Sequence, residues 1–177
     1  MPRNLIDVSH EVEAGMVTYP GLPAPAISDY LSRDASPGRY CEGTTFQIGR
    51  IEMVANTGTY VDAPFHRFAE GGDLASLPLE RLADLQGLVI DATQRESRAI
   101  DADWFENLTL KNRAVLVRTG WDVHWRTEQY GKDAPFLTRA AAELLVAAGV
   151  ALVGIDSVNI DDMSDGQRPA HTILLGA

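Results

Sequence analysis

The sequence predicts an α/β protein, with either a mixed β-sheet or a barrel as its core. Apolar runs bounded by polar residues at 87–91, 114–120 and 150–155 are typical of buried strands. Apolar residues spaced i, i+3, i+4 and i+7 over 141–148 predict an amphipathic helix between the last two strands. A strand, a helix and a strand in this order favour the α/β class.

Local patterns predict the elements of the N-terminal part. Residues 5–8 predict a short opening strand, and residues 46–53 alternate between apolar and polar side chains as a strand does. A loop rich in turn formers, including Pro20 and Gly21, follows the first strand. Residues 26–43 show little periodicity, so we expect an irregular excursion there.

The C-terminal part contains further helical signals. Residues 74–85 predict a loop with a short helix. Residues 101–107 predict one or two helical turns, for which Asp101 or Asp103 is the N-cap. Thr138 is placed to cap the amphipathic helix that follows it.

Composition limits the classes of function. The chain has 177 residues and a formal net charge of -10, which argues against binding to nucleic-acid phosphates. Its apolar runs are too short to span a bilayer, and residues 1–4 lead into no apolar segment of a signal peptide. The single cysteine, Cys41, fits a reducing compartment, so the expected location is the cytoplasm.

The segment 56–66 has the highest density of chemically useful side chains. Asp62 and His66 lie on either side of Pro64, whose fixed φ limits how far apart their side chains can move. Gly58 permits a backbone conformation that a residue with a Cβ resists. A short segment of this kind can bring several side chains to one point, as a metal or hydrolytic site requires.

The same segment resembles the signature of the cyclase family, His-x-Gly-Thr-His-x-Asp-x-Pro-x-His, whose members include bacterial kynurenine formamidases and isatin hydrolases. The two early histidines of the signature are replaced here by Asn56 and Tyr60. The positions that match are Gly58, Thr59, Asp62, Pro64 and His66.

The resemblance extends over nearly the whole chain. Residues 19–21, 117–121, 153–157 and 169–175 resemble further family segments in the same order. The resemblance implies a single cyclase-like domain over 1–177, with a mixed β-barrel core and surrounding helices. It also implies that the usual C-terminal segment, with a glutamate that bridges two metals, is not in this sequence.

The resemblance implies roles for individual residues. In the family, the position of Asp62 bridges two metals, that of His171 binds one of them, and that of His66 is the general acid and base. Asn56 offers a neutral oxygen that suits harder ions better than zinc, and Tyr60 is a weak ligand but a good hydrogen-bond donor. We therefore expect at most one divalent site, for zinc or manganese, with Asp62, His171 and Asn56 as metal ligands and His66 and Tyr60 as catalytic residues.

Three aromatic residues are candidates for an aromatic wall beside a ring-bearing substrate. Tyr19 matches a position at which family members place an aromatic residue against substrate, and Trp121 and Trp125 add large rigid surfaces. Ordinary packing is the alternative for each of them. We predict Tyr19 and Trp121 as substrate-binding residues.

The remaining polar candidates are given structural roles. A carboxylate cluster is suggested by three nearby aspartates, Asp156, Asp161 and Asp162. The neighbouring Ser and Asn residues instead favour a solvated loop. His10 and His124 are predicted to be structural or peripheral.

Two classes of function follow. The first is a hydrolase that uses a divalent metal to cleave the C–N bond of an amide, formamide or cyclic amide, as an arylformamidase does. The second is a metal-poor relative that binds a small molecule without catalysis, or that uses Tyr60 and His66 as an acid–base pair without metal. The proline-rich residues 22–45 and the resemblance favour a homodimer or a higher homo-oligomer, with no nucleic-acid or membrane partner.

Overall fold

The computed structural model describes residues 5–177, which pack as two compact units. The first unit ends at Tyr60, and the second is Val61–Ala177. Residues 1–4, on which the expectation about a signal peptide partly rests, lie outside the described residues. No helix among the described residues is long and apolar enough to cross a membrane.

The first unit contains an antiparallel pair of strands, β1 (Ala26–Leu31) and β2 (Ile48–Glu52). Strand β2 confirms the strand predicted from alternation. The irregular excursion predicted from residue 26 onward is wrong for β1. Its residues are exposed on both faces except Leu31, so burial imposes no alternation that the sequence would record.

The predicted opening strand at residues 5–8 is wrong. These residues form no strand, and their apolar side chains Leu5, Ile6 and Val8 are exposed. A strand needs a neighbour that takes its backbone hydrogen bonds, and within the described residues this segment pairs with none.

The second unit carries the other elements. In chain order they are β3 (Gln86–Asp91), β4 (Ala99–Ile100), β5 (Arg113–Arg118), β6 (Phe136–Leu137), α1 (Arg139–Ala147), β7 (Leu152–Ile155) and α2 (Pro169–Leu175). Strands β3, β5 and β7 form a parallel sheet with β5 in the centre, and β4 pairs with β6 in parallel. The three long strands confirm the prediction from apolar runs. Strands β4 and β6 are too short to leave a periodic signal.

The core of the second unit lies between the parallel sheet and the helices. Val115 and Val117 of β5 belong to the same buried apolar cluster as Ala141 and Leu145 of α1. The Thr138 hydroxyl accepts a hydrogen bond from the Ala141 amide at 3.1 Å, which confirms the predicted N-cap. An α/β architecture with a sheet core is therefore confirmed, and among the described residues the strands do not close into a barrel.

Short 3-10 turns occupy the predicted helical loops. The turn Ala102–Phe105 begins at Asp101, whose carboxylate accepts from the Ala102 amide at 2.8 Å. Two further turns, Leu74–Ser76 and Leu79–Arg81, lie where a short helix was expected. The helix α2 was not predicted, although Pro169 occupies its first turn, where proline is favoured.

Candidate metal centre

Asp62 and His66 are brought together by a tight turn. Residues Pro64–His66 form a 3-10 turn, and the His66 Nδ1 atom lies 3.7 Å from the Asp62 Oδ1 atom. Gly71 packs so closely behind this turn that a Cβ there would lie 2.7 Å from the Pro64 carbonyl carbon. The amide of Phe65 also donates to the Gly72 carbonyl oxygen at 3.0 Å, so the turn is held from behind.

His171 reaches the same point from helix α2. Its Nε2 atom lies 3.7 Å from Asp62 Oδ2, and its ring centroid is 5.8 Å from that of His66. The potential ligand atoms of Asp62, His66 and His171 all lie within 4.8 Å of one another. Each oxygen of Asp62 therefore faces one imidazole.

This cluster fits a divalent cation. Two atoms that each bind a tetrahedral ion at ~2.1 Å are about 3.4 Å apart, close to the two 3.7 Å separations found here. One carboxylate and two imidazoles are a donor set that suits zinc and manganese. The side chain of His171 is 14% exposed and that of His66 is 42% exposed, so the cluster opens to solvent on the His66 side.

Asp161 holds His171 from behind, a contact that the sequence did not predict. Asp161 is 2% exposed, so the solvated loop expected here is wrong for this residue. Its Oδ1 atom accepts from the Ala170 amide at 2.6 Å, and its Oδ2 atom accepts from the His171 amide at 3.1 Å. The same Oδ2 atom lies 2.5 Å from His171 Nδ1. The sequence contained one usable signal, which is that Pro169 favours the first turn of a helix. Arg168, directly before it, supplies no side-chain cap, so the free amides of that turn need an acceptor from elsewhere in the chain.

The charges of the cluster shift two pKa values. Burial favours the neutral imidazole of His171, but hydrogen bonds and charge from Asp161 and Asp62 outweigh it and raise the pKa to about 9. Burial opposes ionisation of Asp161, yet hydrogen bonds from His171 and the amide of Ala170 hold the pKa of Asp161 below its ordinary value. A cation that binds His171 at neutral pH therefore displaces a proton.

Asp156 also departs from the predicted solvated loop. Its carboxylate accepts from the Thr119 amide at 2.7 Å, the Thr119 hydroxyl at 2.6 Å and the Gly120 amide at 2.8 Å. It thereby ties the end of β7 to the turn after β5. Asp162 lies in a local turn, where it accepts from the Ser164 amide at 3.0 Å.

Trp121 follows this turn and packs in an aromatic group. Its indole N–H donates to the Tyr130 carbonyl oxygen at 3.0 Å, and its ring lies 4.5 Å from that of His124. Trp125 packs edge-on against Tyr130 at 5.1 Å. These contacts explain how the rings are packed, and the substrate-binding role of Trp121 stays a prediction.

The remaining predicted site residues, Tyr19, Asn56 and Tyr60, belong to the first unit. There Gly58 has a φ of 70°, and a Cβ on it would lie 2.8 Å from a methyl group of Val12, so this turn requires glycine. The second unit brings together Asp62, His66 and His171. The roles of the three first-unit residues stay predictions.

The parallel sheet and the cluster of one carboxylate and two imidazoles define an α/β protein with a candidate metal centre. The model of the "Putative cyclase" family matches residues 6–162. The chain belongs to the cyclase family, as its motif predicted.

Individual relatives give the same placement. The chain is 26% identical over 167 residues to a kynurenine formamidase of Bacillus cereus, covering 94% of this chain and 74% of the relative. It is 28% identical over 173 residues to a kynurenine formamidase of Erythrobacter litoralis, covering 98% of this chain and 74% of that relative.

Solved structures share the fold. A predicted metal-dependent hydrolase from Bacillus stearothermophilus superposes with a TM-score of 0.71 at 25% identity, covering 97% of this chain and 77% of that one. Isatin hydrolase A from Labrenzia aggregata, bound to benzyl benzoate, gives a TM-score of 0.74 at 19% identity, covering 97% and 74%. At 19% identity the similarity concerns the fold.

Proposed function

We propose that this protein is a metal-dependent hydrolase that cleaves the C–N bond of an amide, a formamide or a cyclic amide. The observation that carries the proposal is the convergence of Asp62, His66 and His171, whose ligand atoms lie within 4.8 Å of one another. The kynurenine formamidases among its relatives support the bond type, and the metal-dependent hydrolase from Bacillus stearothermophilus supports the use of a metal.

In this proposal Asp62 and His171 hold one zinc or manganese ion, with Asn56 as a neutral oxygen ligand. When bound, such a cation supplies Lewis-acid polarisation of a carbonyl group and makes a water molecule more acidic. Asp62 and His171 are mostly shielded from solvent, which strengthens their electrostatic hold on a cation.

His66 carries the proton in this proposal. It is the most exposed member of the cluster, so its imidazole can meet both water and substrate. The water oxygen adds to the carbonyl carbon, the C–N bond breaks, and His66 transfers the water proton to the leaving nitrogen. Tyr60 is proposed to donate a hydrogen bond from its phenol to the same substrate.

The substrate is proposed to be a small molecule with an aromatic ring, held by Tyr19 and Trp121. We do not expect N-formylkynurenine to be the main substrate. Asn56 and Tyr60 stand where the family signature has two histidines, so the metal chemistry differs from that of a member with all the imidazoles.

The proposal includes a homodimer, or a higher homo-oligomer, in the cytoplasm. Ile27 and Ile51 lie opposite each other across the β1–β2 pair and are 44% and 66% exposed. An isolated pair of strands is marginally stable in water, and a second copy of the chain would cover this surface. The cytoplasmic location rests on the single, exposed and free Cys41.

Metal analysis and turnover together test this function. Protein purified without chelators should contain close to one zinc or manganese ion and should hydrolyse members of a panel of formamides, cyclic imides and isatin-like compounds. Asp62→Ala should lose both metal and turnover, whereas the control Asp103→Ala, at an exposed carboxylate of a 3-10 turn, should keep both.

The alternatives predict different results. Metal-free, folded protein without turnover would support a small-molecule binder. Turnover that resists chelators and disappears in Tyr60→Phe would support a metal-independent acid–base pair. Either result would overturn the metal-dependent hydrolase.

A further inference from the structure

We infer that Asp161 is a positioning residue that fixes the ring of His171 with Nδ1 turned into the protein and Nε2 turned toward Asp62. The inference rests on the proposed function insofar as it takes the Nε2 atom of His171 as the one that binds metal. The orientation of the ring itself rests on contacts within the chain.

The first step is the contact of the ring. His171 Nδ1 lies 2.5 Å from Asp161 Oδ2, while Nε2 lies 3.7 Å from Asp62 Oδ2. A carboxylate accepts hydrogen bonds and donates none, so Nδ1 carries the proton and donates it to Asp161. The nitrogen that can bind a cation, once the cation has displaced its proton, is therefore Nε2, which faces the cluster.

The second step is the burial of Asp161. At 2% exposure this carboxylate has no access to bulk water, and its partners are supplied by the start of helix α2. It accepts from the backbone amides of Ala170 and His171, which lie in the first turn of the helix. One carboxylate therefore accepts from the start of the helix and from the ring that the helix carries, so the helix amides hold the acceptor of the ring in place.

The third step is the support of the carboxylate itself. Arg168 adopts a left-handed backbone conformation, with φ of 48° and ψ of 59°, immediately before the helix. Its guanidinium donates to the carbonyl oxygens of Asp162 and Met163 at 3.0 and 3.3 Å. The amide of Asp161 donates to the Asn159 side-chain oxygen at 2.9 Å. The loop that presents Asp161 is thus held on both sides of the residue.

Nitrogen-15 NMR of the metal-free protein, labelled on the histidine rings, tests the ring contact directly. The parent protein should show a ring Nδ1–H proton that exchanges slowly with water and disappears in His171→Gln. Asp161→Asn should lose this signal, because asparagine has one accepting oxygen where Asp161 uses both, and the amides of Ala170 and His171 compete with the ring for it. Asp162→Asn is the matched control: it removes the neighbouring carboxylate, which faces Ser164 and Arg98, and should keep the signal. If the parent protein is folded and shows no such signal, the inference is overturned without any variant.

Metal affinity gives the second readout. Equilibrium binding of zinc should weaken about 10- to 100-fold in Asp161→Asn, as is usual when the partner of a metal-binding histidine is removed, and by less than about threefold in Asp162→Asn. Equal affinity in Asp161→Asn and the parent would overturn the inference. If the parent binds no divalent ion, the proposed function fails, and the NMR signal still decides whether Asp161 orients the ring.

Discussion

At the scale of single residues, Asp62 divides its two oxygens between two imidazoles that differ in exposure. His66 is the more exposed and His171 the more buried, and the buried carboxylate of Asp161 lies behind His171. This asymmetry supports different roles for the two histidines, with proton transfer at His66 and metal binding at His171.

Substitution of the two histidines should separate these roles. We expect His66→Gln to lower kcat by about 10²- to 10⁴-fold while the metal content stays near that of the parent. His171→Gln should lose the metal together with the activity. Turnover and elemental analysis of the same preparations measure both effects. Loss of metal in His66→Gln would show that His66 is a ligand rather than the proton carrier.

The contact between His171 and Asp161 makes the stability of the metal-free protein depend on pH. The pKa of His171 is raised from 6.5 to about 9, so its stabilising effect is complete below pH 6.5 and is lost as pH rises through 9. The free energy of unfolding should therefore fall between pH 6.5 and pH 9, by about 3 kcal/mol at most. Urea unfolding at several pH values, with chelator present, measures this slope. Asp161→Asn should make the free energy of unfolding depend less on pH. An unchanged slope in that variant would show that titratable groups other than His171 cause it.

The sequence predicted the candidate metal ligands better than the residue that holds one of them in place. Asp62 and His66 are four residues apart in a turn that Pro64 restricts, so local pattern was sufficient to group them. His171 was found through the family resemblance, since an isolated histidine carries no local signal. Asp161 was missed because its role depends on a loop that brings it to a helix start nine and ten residues later.

At the scale of elements, the carboxyl ends of the parallel strands are joined by Asp156. Its carboxylate follows β7 and accepts from two backbone amides in the turn after β5, directly before Trp121. Gly120 has a φ of 73°, so this turn also requires a left-handed conformation that glycine adopts easily. The position of the aromatic group after β5 therefore depends on a contact from the neighbouring strand.

Removal of the Asp156 charge should loosen this turn. We expect Asp156→Asn to lower the free energy of unfolding by about 2–3 kcal/mol, because half-buried amides lose a charged acceptor. Asp91→Asn is the matched control at the end of β3, where an exposed carboxylate accepts from Thr93, and it should cost less than about 1 kcal/mol. Chemical denaturation of both variants, together with tryptophan fluorescence, measures the difference. Equal losses in the two variants would contradict a special role for Asp156.

Elements were predictable where burial imposes a pattern. Strands β3, β5 and β7 are apolar runs in or beside the core, and α1 has a buried stripe and a capping threonine. Two predictions were wrong for the same reason: β1 is a strand that was not predicted, and the segment 5–8 is a predicted strand that does not form. Both are exposed, so the presence or absence of alternation says little about whether a pairing strand is available.

At the scale of the whole molecule, the exposed β1–β2 pair makes a testable prediction about assembly. Light scattering at micromolar protein should give the mass of a dimer or a higher oligomer. Ile51→Lys should shift that mass toward the monomer, because it places a charge on an apolar surface that a second copy would cover. Leu79→Lys, at an apolar residue of a 3-10 turn outside the pair that is at least as exposed, should leave the mass unchanged. A monomeric parent would refute the assembly, and equal effects of both variants would place the interface elsewhere.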